Sequence, residues 1–140
     1  FVVNSDAVWR DGPSPALERM ARAWDGRRMD ALLLMFPAAG AYGYLGKGDY
    51  FMDLEGRLTR REHGMVAPFV FAGIQILHPR LFEGAPNGAF SLNLIYDKAE
   101  AANRLFGIRH DGDWYHVGTE EALHEVERLM ASPFTRKDWL

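Results

Sequence analysis

Apolar positions along this chain follow two periods, one of strands and one of helices, in turn. Phe1-Val2-Val3 is an apolar run that meets Asn4-Ser5-Asp6, a turn-forming triplet. The pattern predicts a buried strand that delivers a carboxylate at its carboxyl end, where open α/β sheets bind ligands. After a turn at Arg10-Asp11-Gly12-Pro13, Ser14-Pro15 predicts an N-cap followed by Pro at the first helical position. Leu17, Met20, Ala21 and Trp24 then recur at helical spacing, and Asp25-Gly26 ends the helix. Ala31 to Phe36 is continuously apolar and closed by Pro37, which predicts a strand covered on both faces. Strand, helix and strand in this order predict a βαβ unit with a parallel pair.

The rest of the chain alternates in the same way. Gly40, Gly43, Gly46 and Gly48 mark a loop whose backbone can approach something closely. Tyr50 to Asp53 and Arg57 to Arg61 flank Leu54-Glu55-Gly56, a hairpin turn with Gly at a positive-φ position. Phe69 to Leu77 is a further buried strand with Gly73 in its middle, and His78 to Phe82 is a short helical turn. Ser91 caps a predicted helix with Leu92, Ile95, Ala99 and Ala102 on one face, and Leu105 to Arg109 is a strand. Asp111-Gly112-Asp113 turns into Trp114-Tyr115-His116-Val117, another strand. Thr119 caps the last helix, with Leu123, Val126 and Met130 inward, and the tail ends in an apolar Trp139-Leu140.

Composition narrows the classes. At 140 residues the chain fits one domain, residues 1–140, with a genuine core. A net charge of -3 offers no basic footprint for nucleic acid. No apolar run approaches the roughly 20 residues that span a bilayer, and no stretch reads as a secretory leader. The expected setting is cytoplasmic, away from membranes. The chain has no cysteine, which excludes disulfides, zinc-thiolate centres and thiol catalysis.

Several side chains have the chemistry for a site, each with a plainer alternative. Asp6, at a strand end, suits Mg²⁺, which takes few protein oxygens and completes its shell from water and phosphate. It suits equally an Asx-turn that caps local N–H groups. Asn4 either binds a ligand hydroxyl or ties down the turn. Asp49 is an acceptor for sugar hydroxyls or a solvated loop-end carboxylate. His116, exposed by the Gly118-Thr119 turn, is a metal ligand, a phosphate contact or a half-buried capping residue. Glu62 follows the basic Arg57, Arg60 and Arg61 and is a sugar acceptor or part of a surface charge cluster. Gly73 either gives backbone to a ligand or allows close packing. There is no phosphate-binding P-loop, dinucleotide fingerprint or Ser-His-Asp set.

In order, Phe1-Val2-Val3-Asn4-Ser5-Asp6, Lys47-Gly48-Asp49-Tyr50 with Asp53 and Gly56-Arg57, Phe71-Ala72-Gly73-Ile74 with His78-Pro79-Arg80-Leu81-Phe82, and Trp114 to Thr119 resemble the sugar-1-phosphate nucleotidyltransferases. The short bacterial branch of N-acetylmuramate-1-phosphate uridylyltransferases and mannose-1-phosphate guanylyltransferase-like proteins is the most similar. The resemblance runs from Phe1 to about Met130.

It implies an α/β fold with a Rossmann-like mixed sheet flanked by helices, the nucleotide-diphospho-sugar transferase fold. It implies joining of a nucleoside triphosphate to a sugar 1-phosphate, giving a nucleotide sugar and pyrophosphate, with UTP and N-acetylmuramate 1-phosphate the preferred pair. Asp6 matches the Mg²⁺-binding aspartate, Asn4 and Asp49 match sugar-phosphate contacts, Gly73 matches a backbone contact near the sugar, and Glu62 a sugar-binding glutamate. His116 stands where the family usually has a second metal-binding Asp, so it ligates the metal or binds phosphate instead. The family's glycine-rich loop ending in Arg and its phosphate-contacting Lys precede the strand that opens this chain. The expectation is a C-terminal, sugar-phosphate part, with the nucleotide-binding half in a missing N-terminal segment of the same protein. A non-catalytic module that binds a sugar phosphate or nucleotide sugar is the alternative, and a subdomain completing a partner's sheet is a third.

Overall fold

The computed structural model describes residues 1–131. One strand organises them. β3, Ala31–Pro37, is buried along nearly its whole length. Leu32, Leu34 and Phe36 face one core; Ala31, Leu33 and Met35 face another. This is the strand period of two with both faces covered, so the run reads as continuously apolar. β6, Phe69–Leu77, lies antiparallel on one side of it, and β7, Leu105–Arg109, parallel on the other. The hairpin of β4, Tyr50–Met52, and β5, Leu58–Arg60, extends the sheet past β6, and β1, Val2–Val3, pairs antiparallel with the far half of β6. Gly56 has φ +84° in the hairpin turn. The mixed sheet is flanked by helices, as expected.

The helix α1, Ala16–Ala23, packs on the Leu32 face and α2, Asn93–Ala101, on the Leu33 face. A separate antiparallel ribbon, β2 at Ala7–Arg10 and β8 at Asp113–His116, lies on the α1 side, with α3, Glu120–Ala131, following it.

Several expectations change. The opening strand is a two-residue pairing with Phe1, Val2 and Val3 all exposed, Phe1 by 61 %. It pairs with β6, so the parallel partner of β3 is β7 and not the first strand. Its far edge has no neighbour among the described residues, and apolar character alone does not distinguish such an edge from a centre. The ribbon strand β2 was not foreseen, because all four of its residues are only half-buried. Asp11, not Ser14, caps α1: its Oδ1 accepts from the Ala16 N–H at 2.9 Å. The buried face of α1 is Ala16 and Met20, while Leu17 and Ala21 are exposed. Ala102 is exposed past the end of α2. Thr119 caps α3 through Ala122 N–H at 3.2 Å, yet only Val126 of its inward set is buried. Leu123 and Met130 stay exposed. The Trp139-Leu140 tail lies outside the described residues.

Asp30, just before β3, fastens the layers together. Its Oδ1 accepts from Arg80 Nε at 2.5 Å and from Arg104 Nε at 2.7 Å. Arg80 belongs to the helical turn after β6, and Arg104 to the lead-in of β7. Both guanidinium groups also donate to carbonyls of the 26–29 segment. Burial opposes the carboxylate charge, and Arg104 and Arg80 outweigh it, so Asp30 titrates below its ordinary value.

Replacing Asp30 with Ala strands two half-buried arginines and should cost about 3 kcal/mol in urea unfolding. The unfolded chain takes up this proton near pH 4, before the folded chain does. The stabilisation is therefore complete above about pH 4 and is lost as pH falls through the lower folded value. Acid titration of stability should show a steeper loss in the wild type than in Asp30→Ala.

Candidate functional site

The site begins with an irregularity in β6. Leu33 pairs with Gln75 and Met35 with Phe71, so β6 uses two more residues than β3 over this stretch. The extra length is a bulge at Ala72-Gly73-Ile74, and Gly73 has φ +83°. A Cβ at Gly73 would lie 3.0 Å from Ala7 Cβ and 3.3 Å from Asn4 Cβ. Glycine therefore meets two demands here, a left-handed backbone and a close neighbour. Two carbonyls at the bulge bind other segments. Gly73 accepts from the Asn4 N–H at 2.8 Å, and Ala72 accepts from the Trp114 indole at 3.0 Å. One kink thus ties the β1–β2 turn and the ribbon to the sheet.

Beside it lies a small cleft of about 170 Å³ whose lining includes Asn4, Asp6, Asp49, Gly73, Tyr44, Trp114 and His116. Five sequence-predicted residues meet here from four separate segments. Asp6 lies in the turn closed by Ala7 N–H to Asn4 carbonyl at 3.2 Å. Its exposed carboxylate accepts no hydrogen bond among the described residues. Asp49 is half-buried, and its Oδ2 accepts from the Phe71 N–H at 2.9 Å. This replaces a rung that the short β4–β6 pairing leaves out, and Oδ1 remains available. His116 is exposed, with its ring edge-on to Tyr44 and tilted on Trp114.

Asp49 and Phe71 also line a wider cleft of about 520 Å³ with Tyr50, Arg60, Arg61, His63, Asn93 and Tyr96. Glu62 is exposed, lines neither cleft and forms no ion pair among the described residues. The glycine-rich loop does approach something closely at Gly48, where φ is +75° and a Cβ would strike the Ala67 carbonyl. That neighbour is the chain's own backbone. Three other histidines behave as structural or surface groups: His124 sits exposed between Glu120 and Glu127, His78 Nδ1 accepts from the Arg80 N–H at 3.2 Å, and His110 is buried with Nε2 at the carbonyls of Arg10 and Asp113.

Tyr44 and Trp114 were missed as site residues. Trp114 carried a signal in its place beside His116, whereas Tyr44 had none beyond an aromatic within a glycine-rich loop. Tyr44 accepts from Gly48 N–H at 3.1 Å, and desolvation raises its pKa. Among the described residues no three acidic or histidine side chains gather as a metal cage. Asp6 fits Mg²⁺ as a single hard oxygen donor, with phosphate and water completing the shell. Imidazole is the softer donor and fits that ion less well.

No protein-family profile matches the chain. Over 131 residues, 94% of its length, it is 32% identical to the N-acetylmuramate alpha-1-phosphate uridylyltransferase of Caulobacter vibrioides. The chain spans about half of that relative, 54%. A solved Bacillus anthracis structure, provisionally described as a glucose-1-phosphate thymidylyltransferase, superposes with a TM-score of 0.64 at 13% identity. That match covers 96% of this chain and 55% of the other, and it carries the fold alone. The resemblance to sugar-1-phosphate nucleotidyltransferases read from the sequence is borne out, and so is the mixed α/β fold.

Replacing Asp49 with Ala removes the acceptor for a half-buried backbone N–H and should cost about 1–2 kcal/mol. Asp49→Asn keeps an acceptor and should recover most of that loss in thermal unfolding. Equal destabilisation by the two variants would refute the strand-bridging role.

Proposed function

We propose that the chain forms the sugar-phosphate part of a sugar-1-phosphate nucleotidyltransferase. The complete enzyme would transfer a nucleoside monophosphate from a nucleoside triphosphate to a sugar 1-phosphate and release pyrophosphate. UTP and N-acetylmuramate 1-phosphate are the preferred pair, as in the Caulobacter relative's name. One observation carries the reading: the segments that bear the sequence resemblance are those whose Asn4, Asp6, Asp49, Gly73 and His116 line a single cleft. The exposed apolar edge of β1 supports a further, nucleotide-binding part of the same protein beside it.

In this reaction a phosphate oxygen of the sugar attacks the α-phosphorus in line, and pyrophosphate leaves. No covalent nucleophile is required, only positioning and charge neutralisation. Asp6, its carboxylate unspent, would hold Mg²⁺. When bound, the ion supplies positive charge against the phosphate oxygens. Asn4 and the free Oδ1 of Asp49 would hold sugar hydroxyls. Gly73 lets the sugar approach backbone where any side chain would intrude. His116 would donate to a phosphate oxygen, a task that suits imidazole better than binding Mg²⁺ does. Glu62, outside the cleft lining, is left without a role.

A second reading is a non-catalytic module that binds the sugar phosphate. One observation favours it: His116, a softer donor than a carboxylate, stands where the family usually has its second metal-binding Asp.

In the full-length protein, Asp6→Ala should cut Mg²⁺-dependent pyrophosphate release by about 100-fold or more. Near-normal turnover would remove Asp6 from the metal. A panel of nucleoside triphosphates and sugar 1-phosphates, mannose 1-phosphate with GTP included, should give its highest kcat/KM with UTP and N-acetylmuramate 1-phosphate. Sugar-phosphate binding with no turnover of any pair would establish the module instead. Residues 1–140 alone should bind but not form nucleotide sugar, and measurable synthesis by them would overturn the division of labour.

A further inference from the structure

The glycine-rich loop between β3 and β4 is built around one side chain, Tyr44. A Cβ at Gly46 would strike the Tyr44 ring and hydroxyl, so only bare backbone lets the chain curl over the phenol in this way. Gly48 N–H then donates to the Tyr44 oxygen at 3.1 Å. Arg61 holds Gly48 from its other side. That arginine is half-buried and gripped by three backbone carbonyls: Nε donates to Gly48 at 2.9 Å, and Nη1 to Glu62 at 3.2 Å and Met65 at 3.1 Å. No carboxylate among the described residues lies within ion-pair distance of it, whereas Asp97 Oδ2 neutralises its neighbour Arg60 at 2.6 Å. The Tyr44 ring is fixed as well, edge-on to His116 and to Trp114 with centroids 6.1 and 6.4 Å away.

A phenol oxygen that accepts from an N–H still has its own proton to give. Burial and the Asp49 charge raise Tyr44 above the ordinary tyrosine value, so it keeps that proton at neutral pH. Among the described residues nothing receives it. The small cleft that Tyr44 lines is short of such donors. A sugar 1-phosphate brings anionic oxygens that only accept. Asp6 and Asp49 are acceptors too, and the Trp114 indole is spent on Ala72. Asn4, Tyr44 and His116 are the side chains of the lining with a donor to offer. Asn4 and His116 are exposed, while Tyr44 is half-buried and locked, so its rotamer freedom is spent before a ligand arrives.

We infer that Tyr44 is a phosphate-binding residue, its hydroxyl donating to a phosphate oxygen of the sugar 1-phosphate beside His116, and that the glycine-rich loop is the socket that presents it. The inference rests on the proposed nucleotidyltransferase function and adds to it a binding residue and the purpose of Gly46 and Gly48.

The test is steady-state kinetics of the full-length protein with UTP and N-acetylmuramate 1-phosphate. Tyr44→Phe should raise KM for the sugar phosphate by about 10- to 100-fold, the range for a hydrogen bond to a charged group. kcat and the KM for UTP should hold, because the contact is made equally in the ground and transition states. Gly46→Ala keeps the hydroxyl but pushes it off its seat, and should raise the same KM alone. An unchanged KM in Tyr44→Phe overturns the inference. So does a loss shared by kcat and both KM values, which would mean that Tyr44 only supports the loop and the His116 ring. A KM increase that differs from one accepted sugar 1-phosphate to another would place the contact on the sugar and overturn the phosphate assignment. Should Tyr44→Phe fail to fold, Gly46→Ala decides, since position 46 is exposed, and a wild-type KM there overturns the inference. These failures leave an active wild type and sink this inference alone. A wild type that turns over no pair sinks the nucleotidyltransferase reading with it.

Discussion

The bulge at Gly73 is the constraint on which the site depends. Its Gly73 carbonyl accepts from the Asn4 N–H, one step further along the β1–β6 pairing, and its Ala72 carbonyl accepts from the Trp114 indole. Through these two bonds, β1, the ribbon and the central sheet meet at one point, and the cleft opens there. The left-handed backbone excludes side chains, and the 3.0 Å approach to Ala7 leaves no room for one. A strand defect thus does what no regular element does, joining three layers while keeping a surface bare.

Stability and chemistry are held in different places. The Asp30 network locks the start of β3 to the segments around Arg80 and Arg104, and both apolar cores meet across β3. In the cleft Asn4, Asp6 and His116 are exposed and Asp49 is half-buried, and the side chains of Asp6 and His116 spend no hydrogen bond on the fold among the described residues. Asp49 is the exception. It bridges β4 and β6 with one oxygen and offers the other to the cleft, so it couples the small cleft to the wider one that holds Arg61.

Legibility in the sequence followed burial. β3 and β6 were read correctly because strands covered on both faces leave long apolar runs, and β7 because Leu105 and Phe106 open a short one. The β4–β5 hairpin was legible because Gly56 must take a positive φ. β2 was invisible because Ala7-Val8-Trp9-Arg10 is half-buried throughout and shows no alternation. β1 was misread for the opposite reason, since its apolar residues sit at an exposed edge. The faces of α1 and α3 slipped because period alone does not say which neighbours a helix meets. Arg61 looked like one member of a basic run, and only its three carbonyl partners separate it from Arg60.

By itself the sequence determined the order of the main elements, the need for glycine at positions 56 and 73, and the chemistry on offer at Asn4, Asp6, Asp49 and His116. These are local properties: side-chain volume, backbone freedom and charge are written residue by residue. Only the tertiary structure decided that those residues share a cleft, that Glu62 stays outside it, and that Arg61 keeps an unmatched charge nearby. Those facts depend on which distant carbonyls and carboxylates the fold brings within hydrogen-bond reach, and no spacing along the chain encodes that distance.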